Sequence, residues 1–210
     1  MRQYHRYAYL IALAVGLATT PAQAQTTWLF GPEKNSIDDK SVVQFPQKYR
    51  PGDIVVSFGD RRLYHVTKSG QAMSYPIAVP RAQSRWSGVE RVTYKKVDPS
   101  WTPTARMRRE NPKLPAFVPG GDPLNPLGVR ALYLGNTLYR IHGTDAPWTI
   151  GKNVSKGCVR MHNAHVIELY DRVKVGARVI ATWDRYKTEV VASETSSSDD
   201  IYEKVFGSRN

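Results

Sequence analysis

From Gly52 onward the chain alternates short apolar runs with turn-forming residues. Asp53–Phe58 (DIVVSF) reads as a strand and Gly59-Asp60 as a turn. Arg61–Thr67 reads as the returning strand, with Leu63, His65 and Thr67 alternating against Tyr64 and Val66. Ser69-Gly70 marks a further turn and Ser74–Val79 a further strand. Arg91–Val97 sets Val92, Tyr94 and Val97 among basic residues, the pattern of a strand with one wet face. Ala131–Leu134 and Leu138–Ile141 flank Gly135-Asn136, a hairpin signal. Helical period is clear in one place: Val166, Leu169, Tyr170 and Val173 share a face, with Asn163 placed to cap the helix. Gly176 ends that unit, and Ala177–Trp183 reads as a last strand.

Three stretches depart from this rhythm. Residues 25–51 mix polar residues, Gly and Pro and read as an extended lead-in. Pro99, Pro103, Pro112, Pro115, Pro119, Pro123 and Pro126 break one long segment into irregular pieces, and such a segment inside a domain is usually functional. Residues 186–210 are rich in Ser, Thr and acids and read as a flexible tail, with room for a short helix over 201–206. The pattern predicts a mainly β protein, a sandwich or barrel over 52–185 with one main helix. It contains no internal repeat, heptad run or Gly-rich phosphate loop.

The first 24 residues stand apart. Arg2 and Arg6 precede a short apolar run, Leu10–Ala18, and Ala22-Gln23-Ala24 has the small-x-small form of a processing site. This reads as a secretory signal peptide and places the protein in the periplasm. The run is short of the roughly 20 residues a membrane span needs. An uncleaved anchor is the alternative.

The chain carries a net charge of +12, which falls to +10 without Arg2 and Arg6. For an exported protein this favours anionic wall polymers, stem-peptide carboxylates and membrane surfaces over nucleic acid as partners. One cysteine, Cys158, excludes an intrachain disulfide. A lone thiol kept in an oxidising compartment is either a buried inert residue or a nucleophile.

The densest chemistry lies in 141–165, IHGTDAPWTIGKNVSKGCVRMHNAH. A thiol of ordinary pKa near 8.5 is about a few per cent thiolate at neutral pH, so a positioned imidazole raises its reactivity. His142, ending a predicted strand, supplies one if the intervening loop folds back onto Cys158. The backbone carbonyl of Gly143 can fix the imidazole tautomer. Gly157 permits close substrate approach, and its amide, with that of Cys158, can face a developing oxyanion. Arg160 offers a planar fork for a substrate carboxylate. Rival readings are a buried inert Cys158, a zinc site from Cys158, His142, His162 and His165, and His65 as the base. Lys156, Gly157 and Arg160 argue against an apolar pocket for the thiol.

His142-Gly143-Thr144, Ile150-Gly151 and Ser155-Lys156-Gly157-Cys158-Val159-Arg160-Met161 resemble the signature of the YkuD-type L,D-transpeptidases. The segment from Pro119 to Gly128, followed by Ala131–Leu134, is similar to the ErfK/YbiS/YcfS/YnhG branch. The resemblance implies a β-sandwich-like catalytic domain with Cys158 as nucleophile, His142 as general base and the Gly143 carbonyl orienting it. The implied substrate is a peptidoglycan tetrapeptide stem, attacked at the carbonyl of its third residue with loss of the terminal D-Ala. The implied acceptor is an amine, on another stem or on an outer-membrane protein or lipoprotein anchored to the wall. Water as acceptor would make it an L,D-carboxypeptidase, and a silent site would leave a wall-binding module. No metal or organic cofactor is implied, and a monomer is expected. Ser155, Arg160, Asn125 and Trp86 are the expected substrate contacts, with Trp86, Trp101 and Asn125 along a groove shaped by the Pro-rich segment.

Overall fold

Among the described residues the β-branched and aromatic runs become ten strands. They are β1 (Ser41–Gln44), β2 (Ile54–Ser57), β3 (Arg62–Lys68), β4 (Gln71–Pro80) and β5 (Gly88–Val97), then β6 (Arg130–Leu134), β7 (Arg140–His142), β8 (Asn153–Ser155), β9 (Val159–Met161) and β10 (Arg178–Thr182). Among the same residues two α-helices join them, α1 (Ala105–Glu110) and α2 (Asn163–Arg172). The structure, a computed structural model, describes residues 40–191. The leader expected over 1–24, the lead-in up to residue 39, the tail beyond 191 and the helix expected over 201–206 lie outside the described residues.

Strand pairing runs β4-β3-β2-β10-β5-β6-β7-β9, and β9 pairs back onto β4 through Ile77↔Met161 and Ala78↔Arg160. Eight strands thus close on themselves, so the protein is mainly β and barrel-like. Closure removes the free edges that an open sheet exposes. β1 and β8 attach to the long strand β4. Two pairings are parallel within the circuit, β10–β2 and β7–β9.

The main core fills the barrel with Ile54, Leu63, Tyr75, Leu132, Ile141, Val159 and Met161, and α2 adds Val166 and Leu169. A second core lies on the other side of β2 and β3. Val43, Phe45 and Tyr49 cover Val55, Tyr64 and Val66 there, with Phe45 stacked on Tyr64 at 4.6 Å between ring centroids. Burial on both faces explains the unbroken apolar run in β2, where all four residues are buried. It also changes the picture of the lead-in. From Ser41 this stretch is a paired strand and then the cover of a core, because its few apolar residues find β2 and β3 far along the chain.

Three further expectations are corrected. The Pro-rich segment contains regular structure: α1 fits between Pro103 and Pro112, capped by Thr104, whose Oγ1 accepts from the Met107 amide at 3.2 Å. A bridge between Trp101 and Val118 pinches its base. In β5 the alternation fails, because the register shifts between Val92 and Tyr94. Val92 is buried while Tyr94 is 53% exposed. Finally, Asn163 does not cap α2. It is the first helical residue, and its side chain bonds elsewhere.

Candidate active site

Strand alternation decides which side chains can meet. Leu132, Ile141, Val159 and Met161 point into the core. Their neighbours along β6, β7 and β9 therefore face outward. The registers Ala131↔His142, Tyr133↔Arg140 and His142↔Arg160 put these residues in rows on that outer face. Cys158, one residue before Val159, falls beside Arg140 and diagonal to His142. Diagonal neighbours across a sheet remain within reach of long side chains.

His142 is buried, and its Nδ1 lies 2.6 Å from the Gly143 carbonyl oxygen. A carbonyl only accepts, so Nδ1 carries the proton and Nε2 is the free acceptor. Burial pushes the His142 pKa down to about 3, and the Arg160 charge pushes the same way. The bond to Gly143 works against this shift, and the Arg140 charge works with it. The imidazole is therefore neutral at ordinary pH. Cys158 keeps part of its surface open, and its Sγ donates to the Leu138 carbonyl at 3.5 Å. The protein packed around the thiol pushes its pKa up, against the charge and hydrogen bonding of Arg140 and the charge of Arg160. The resting pair is a thiol and a neutral imidazole, not an ion pair.

The turn after His142 is held from the inner side. Asn163 accepts from the Thr144 amide at 2.9 Å through Oδ1 and donates to the Thr144 carbonyl at 3.0 Å through Nδ2. This two-point clamp fits only against glycine. A Cβ on Gly143 would stand 2.2 Å from Asn163 Oδ1, and one on Gly128 would stand 2.3 Å from it. The loop before Cys158 is held as tightly. Ser155 Oγ donates to the Cys158 carbonyl at 2.5 Å, and Trp86 Nε1 donates to the Gly157 carbonyl at 2.9 Å. Trp86 stacks on Tyr139 with centroids 4.5 Å apart and rings 6° from parallel. Gly157 has φ 131°, and a Cβ there would lie 2.7 Å from the Tyr139 ring.

Several expected site residues have other partners. Asn125 is buried, donating to the carbonyls of Pro99 and Pro119 and accepting from the Leu127 amide, so it pins the Pro-rich segment and does not line a groove. Ser155 and the Trp86 N–H are spent on the cysteine loop. The Gly157 amide points at Ser155 Oγ over a long 3.4 Å, so it is not wholly free for an oxyanion. Arg160 is half-buried and donates to Thr149 Oγ1 at 2.8 Å. Lys156 pairs with Glu110 of α1, tying the Pro-rich segment to the cysteine loop.

His65 has Arg172 and Glu168 as its charged neighbours, which are not those of Cys158. Among the described residues no group of three or more His, Cys, Asp or Glu side chains is arranged to hold a metal ion. An open groove of about 680 Å³ lies along Thr144, Asp145, His162 and His165, and neither Cys158 nor His142 lines it. Sequence reasoning missed Arg140 and the clamp of Asn163. Arg140 stands two residues before His142 on a strand, so period-two alternation alone points to it.

A family model described as the YkuD L,D-transpeptidase catalytic domain matches residues 51–180. The chain is 43% identical over 141 residues to a relative from Escherichia coli (strain K12) named as the probable L,D-transpeptidase ErfK/SrfK. That match covers 64% of this chain and 44% of the relative, so the chain spans less than half that protein's length. Among solved structures, one from Brucella melitensis described as a probable carnitine operon oxidoreductase caia is 38% identical. The likeness covers 72% of this chain and 95% of that one, with a TM-score of 0.47. An L,D-transpeptidase from Mycobacterium smegmatis is 19% identical, covering 61% of this chain and 57% of that one, with a TM-score of 0.48.

Proposed function

The chain belongs to the YkuD family of L,D-transpeptidase catalytic domains, and from that premise we propose that it is a cysteine acyltransferase acting on peptidoglycan stem peptides in the periplasm. The observation that carries this reading is the buried His142, its Nδ1 bonded to Gly143 and its Nε2 free, on the same sheet face as Cys158. In the proposed reaction Nε2 takes the thiol proton as Sγ adds to the carbonyl carbon of the stem's third residue. The carbonyl oxygen becomes an oxyanion, which the Cys158 amide and the neighbouring arginines can stabilise. The C–N bond then breaks, and the departing D-Ala nitrogen takes the proton from Nε2. A thioester remains on Cys158. An acceptor amine attacks it, His142 removes the amine proton, and Sγ leaves and recovers that proton.

The acceptor is an amine of a second stem or of a wall-anchored protein. Peptidoglycan cross-linking, and through it cell shape, is the process this chemistry serves. Periplasmic placement rests on the leader-like residues 1–24. The test is incubation of the purified chain with a disaccharide-tetrapeptide. Release of D-Ala with formation of dimers, lost in Cys158→Ala, is the expected result. Tripeptide monomers without dimers would make it a carboxypeptidase. Full activity in Cys158→Ala would overturn the mechanism. If no covalent adduct forms at Cys158 with a carbapenem, the wall-binding reading replaces it.

A further inference from the structure

One cross-strand row on the outer face runs away from the nucleophile. Tyr94 of β5 pairs with Tyr133 of β6, and Tyr133 pairs with Arg140 of β7. Arg140 in turn stands beside Cys158. The side chains follow the register. The Tyr94 and Tyr133 rings have centroids 5.2 Å apart, and the Arg140 guanidinium lies 5.0 Å from the Tyr133 centroid. Tyr94 owes its position to the register shift between Val92 and Tyr94, since a bulge re-aims the side chain that follows it. The result is an aromatic ring held 53% exposed at the end of a row that begins at the thiol.

Together with the substrate of the preceding section, on which this inference rests, the geometry points to a saccharide subsite at Tyr94 and Tyr133. It would take a pyranose ring of the glycan strand that carries the stem. Two observations select this ligand. First, the row ends on an aromatic pair, Tyr94 exposed and Tyr133 half-buried, and carries no acid. The apolar C–H face of a sugar ring packs on such rings, while its hydroxyls bond to the phenol oxygens and to water. Second, the span fits. Adjacent strands lie about 4.8 Å apart, so Tyr133 is about 10 Å and Tyr94 about 14 Å from Cys158 across the row. The carbonyl attacked on the stem's third residue is three residues from the sugar, a reach of about 10 Å when extended, and the acyl link to the sugar adds the rest. A stem laid across β7 and β6 would therefore deliver its sugar to these rings. Arg140, bonded to the Leu138 carbonyl and leaning on Tyr133, leaves Tyr94 as the more open of the two.

The test compares D-Ala release from a disaccharide-tetrapeptide and from the same tetrapeptide without sugar. The wild-type chain should favour the sugar-bearing donor in kcat/KM by about three- to tenfold, the range of one aromatic stacking contact. Tyr94→Ala should abolish that preference by lowering kcat/KM for the sugar-bearing donor alone, and Tyr94→Phe should keep most of it. No preference in the wild type, or a preference that survives Tyr94→Ala, would overturn the subsite. A parallel NMR titration of the wild-type chain with the peptide-free disaccharide separates the two readings. If neither donor releases D-Ala, the proposed activity fails. The subsite then stands if the Tyr94 and Tyr133 ring protons shift on titration, and falls if they do not.

Discussion

The Asn163 clamp makes a quantitative prediction, because one atom, Oδ1, both accepts from Thr144 and fills the space a Cβ on Gly143 would need. Asn163→Ala removes two hydrogen bonds and leaves the Thr144 amide and carbonyl without partners at a buried residue. At about 0.5–1.5 kcal/mol per bond, the expected loss of stability is about 1–3 kcal/mol. Gly143→Ala in the wild type must first displace Oδ1, so it loses the same two bonds and adds overpacking. In the Asn163→Ala background the nearest atoms left to the new Cβ are Val166 Cγ1 at 3.2 Å and Val129 N at 3.3 Å, which small shifts can absorb. The two substitutions should therefore be strongly non-additive. The double variant should be about 1–3 kcal/mol more stable than the sum of the singles, well outside the roughly 0.5 kcal/mol scatter of independent sites. Urea denaturation of the wild type, both singles and the double measures this. Activity gives a second readout: a loosened Gly143 carbonyl no longer fixes Nδ1–H, so kcat should fall in Asn163→Ala with KM little changed. Additive stabilities, or an Asn163→Ala enzyme with unaltered kcat, would refute the clamp.

The pH profile should be unusual for a Cys–His pair. With the His142 pKa down to about 3, the active neutral imidazole persists as pH falls from 7 to 5, and carbapenem acylation should show no acid limb near 6.5. The same shift has a stability consequence. The unfolded imidazole gains its proton near 6.5 and the folded one only near 3, so His142 erodes stability as pH falls between those values, which acid denaturation of wild type against His142→Gln would read. The raised Cys158 pKa predicts slow alkylation by iodoacetamide at pH 7 and a rate that climbs above pH 9. Trp86→Phe keeps the ring on Tyr139 but loses the bond to Gly157, so kcat should fall about fivefold to tenfold, the worth of one such bond, with KM unchanged. Asn125→Ala should cost about 2–4 kcal/mol by leaving two carbonyls and an amide unpaired, while KM below the melting transition stays the same; a raised KM would restore Asn125 as a substrate contact.

Local pattern carried much of the barrel. β2, β3 and β4, the β6–β7 hairpin, α2 and β10 each announce themselves by alternation, period or a turn dipeptide. β1 did not, because Val43, Phe45 and Tyr49 are apolar for the sake of β2 and β3, and nothing nearby in the chain reveals that. β8 and β9 have three residues each, too few for a period. At the site, Cys158 and His142 were legible from residue type and spacing. Asn125 and Ser155 show the limit of that method. A polar residue near a motif looks the same in sequence whether it faces a ligand or its own backbone, and here both bond to main-chain carbonyls. Asn163 has the sequence signature of a helix cap, since Asn before a helix usually is one. Only the fold reveals that the Thr144 main chain passes close enough to compete for its amide.

The electrostatics of the site favour one order of proton movement. Cys158 and His142 are both neutral at rest, yet Arg140 and Arg160 stand close enough to act on each. At His142 the Arg160 charge acts more strongly than the Gly143 hydrogen bond and the Arg140 charge less, while at Cys158 the Arg140 charge acts more strongly than its hydrogen bonds and the Arg160 charge less. Their field lowers the energy of any negative charge that forms on Sγ or on a substrate oxygen. The same field raises the energy of an imidazolium on His142, which is part of why its pKa is so low. A proton taken from the thiol therefore has no stable place on Nε2. On the proposed mechanism it is driven onward to the departing nitrogen while the oxyanion is held. On that mechanism the neutral resting pair and the flanking arginines would act together: the thiol would stay unreactive until a carbonyl is in place, and the imidazole would serve as a relay that cannot retain what it accepts.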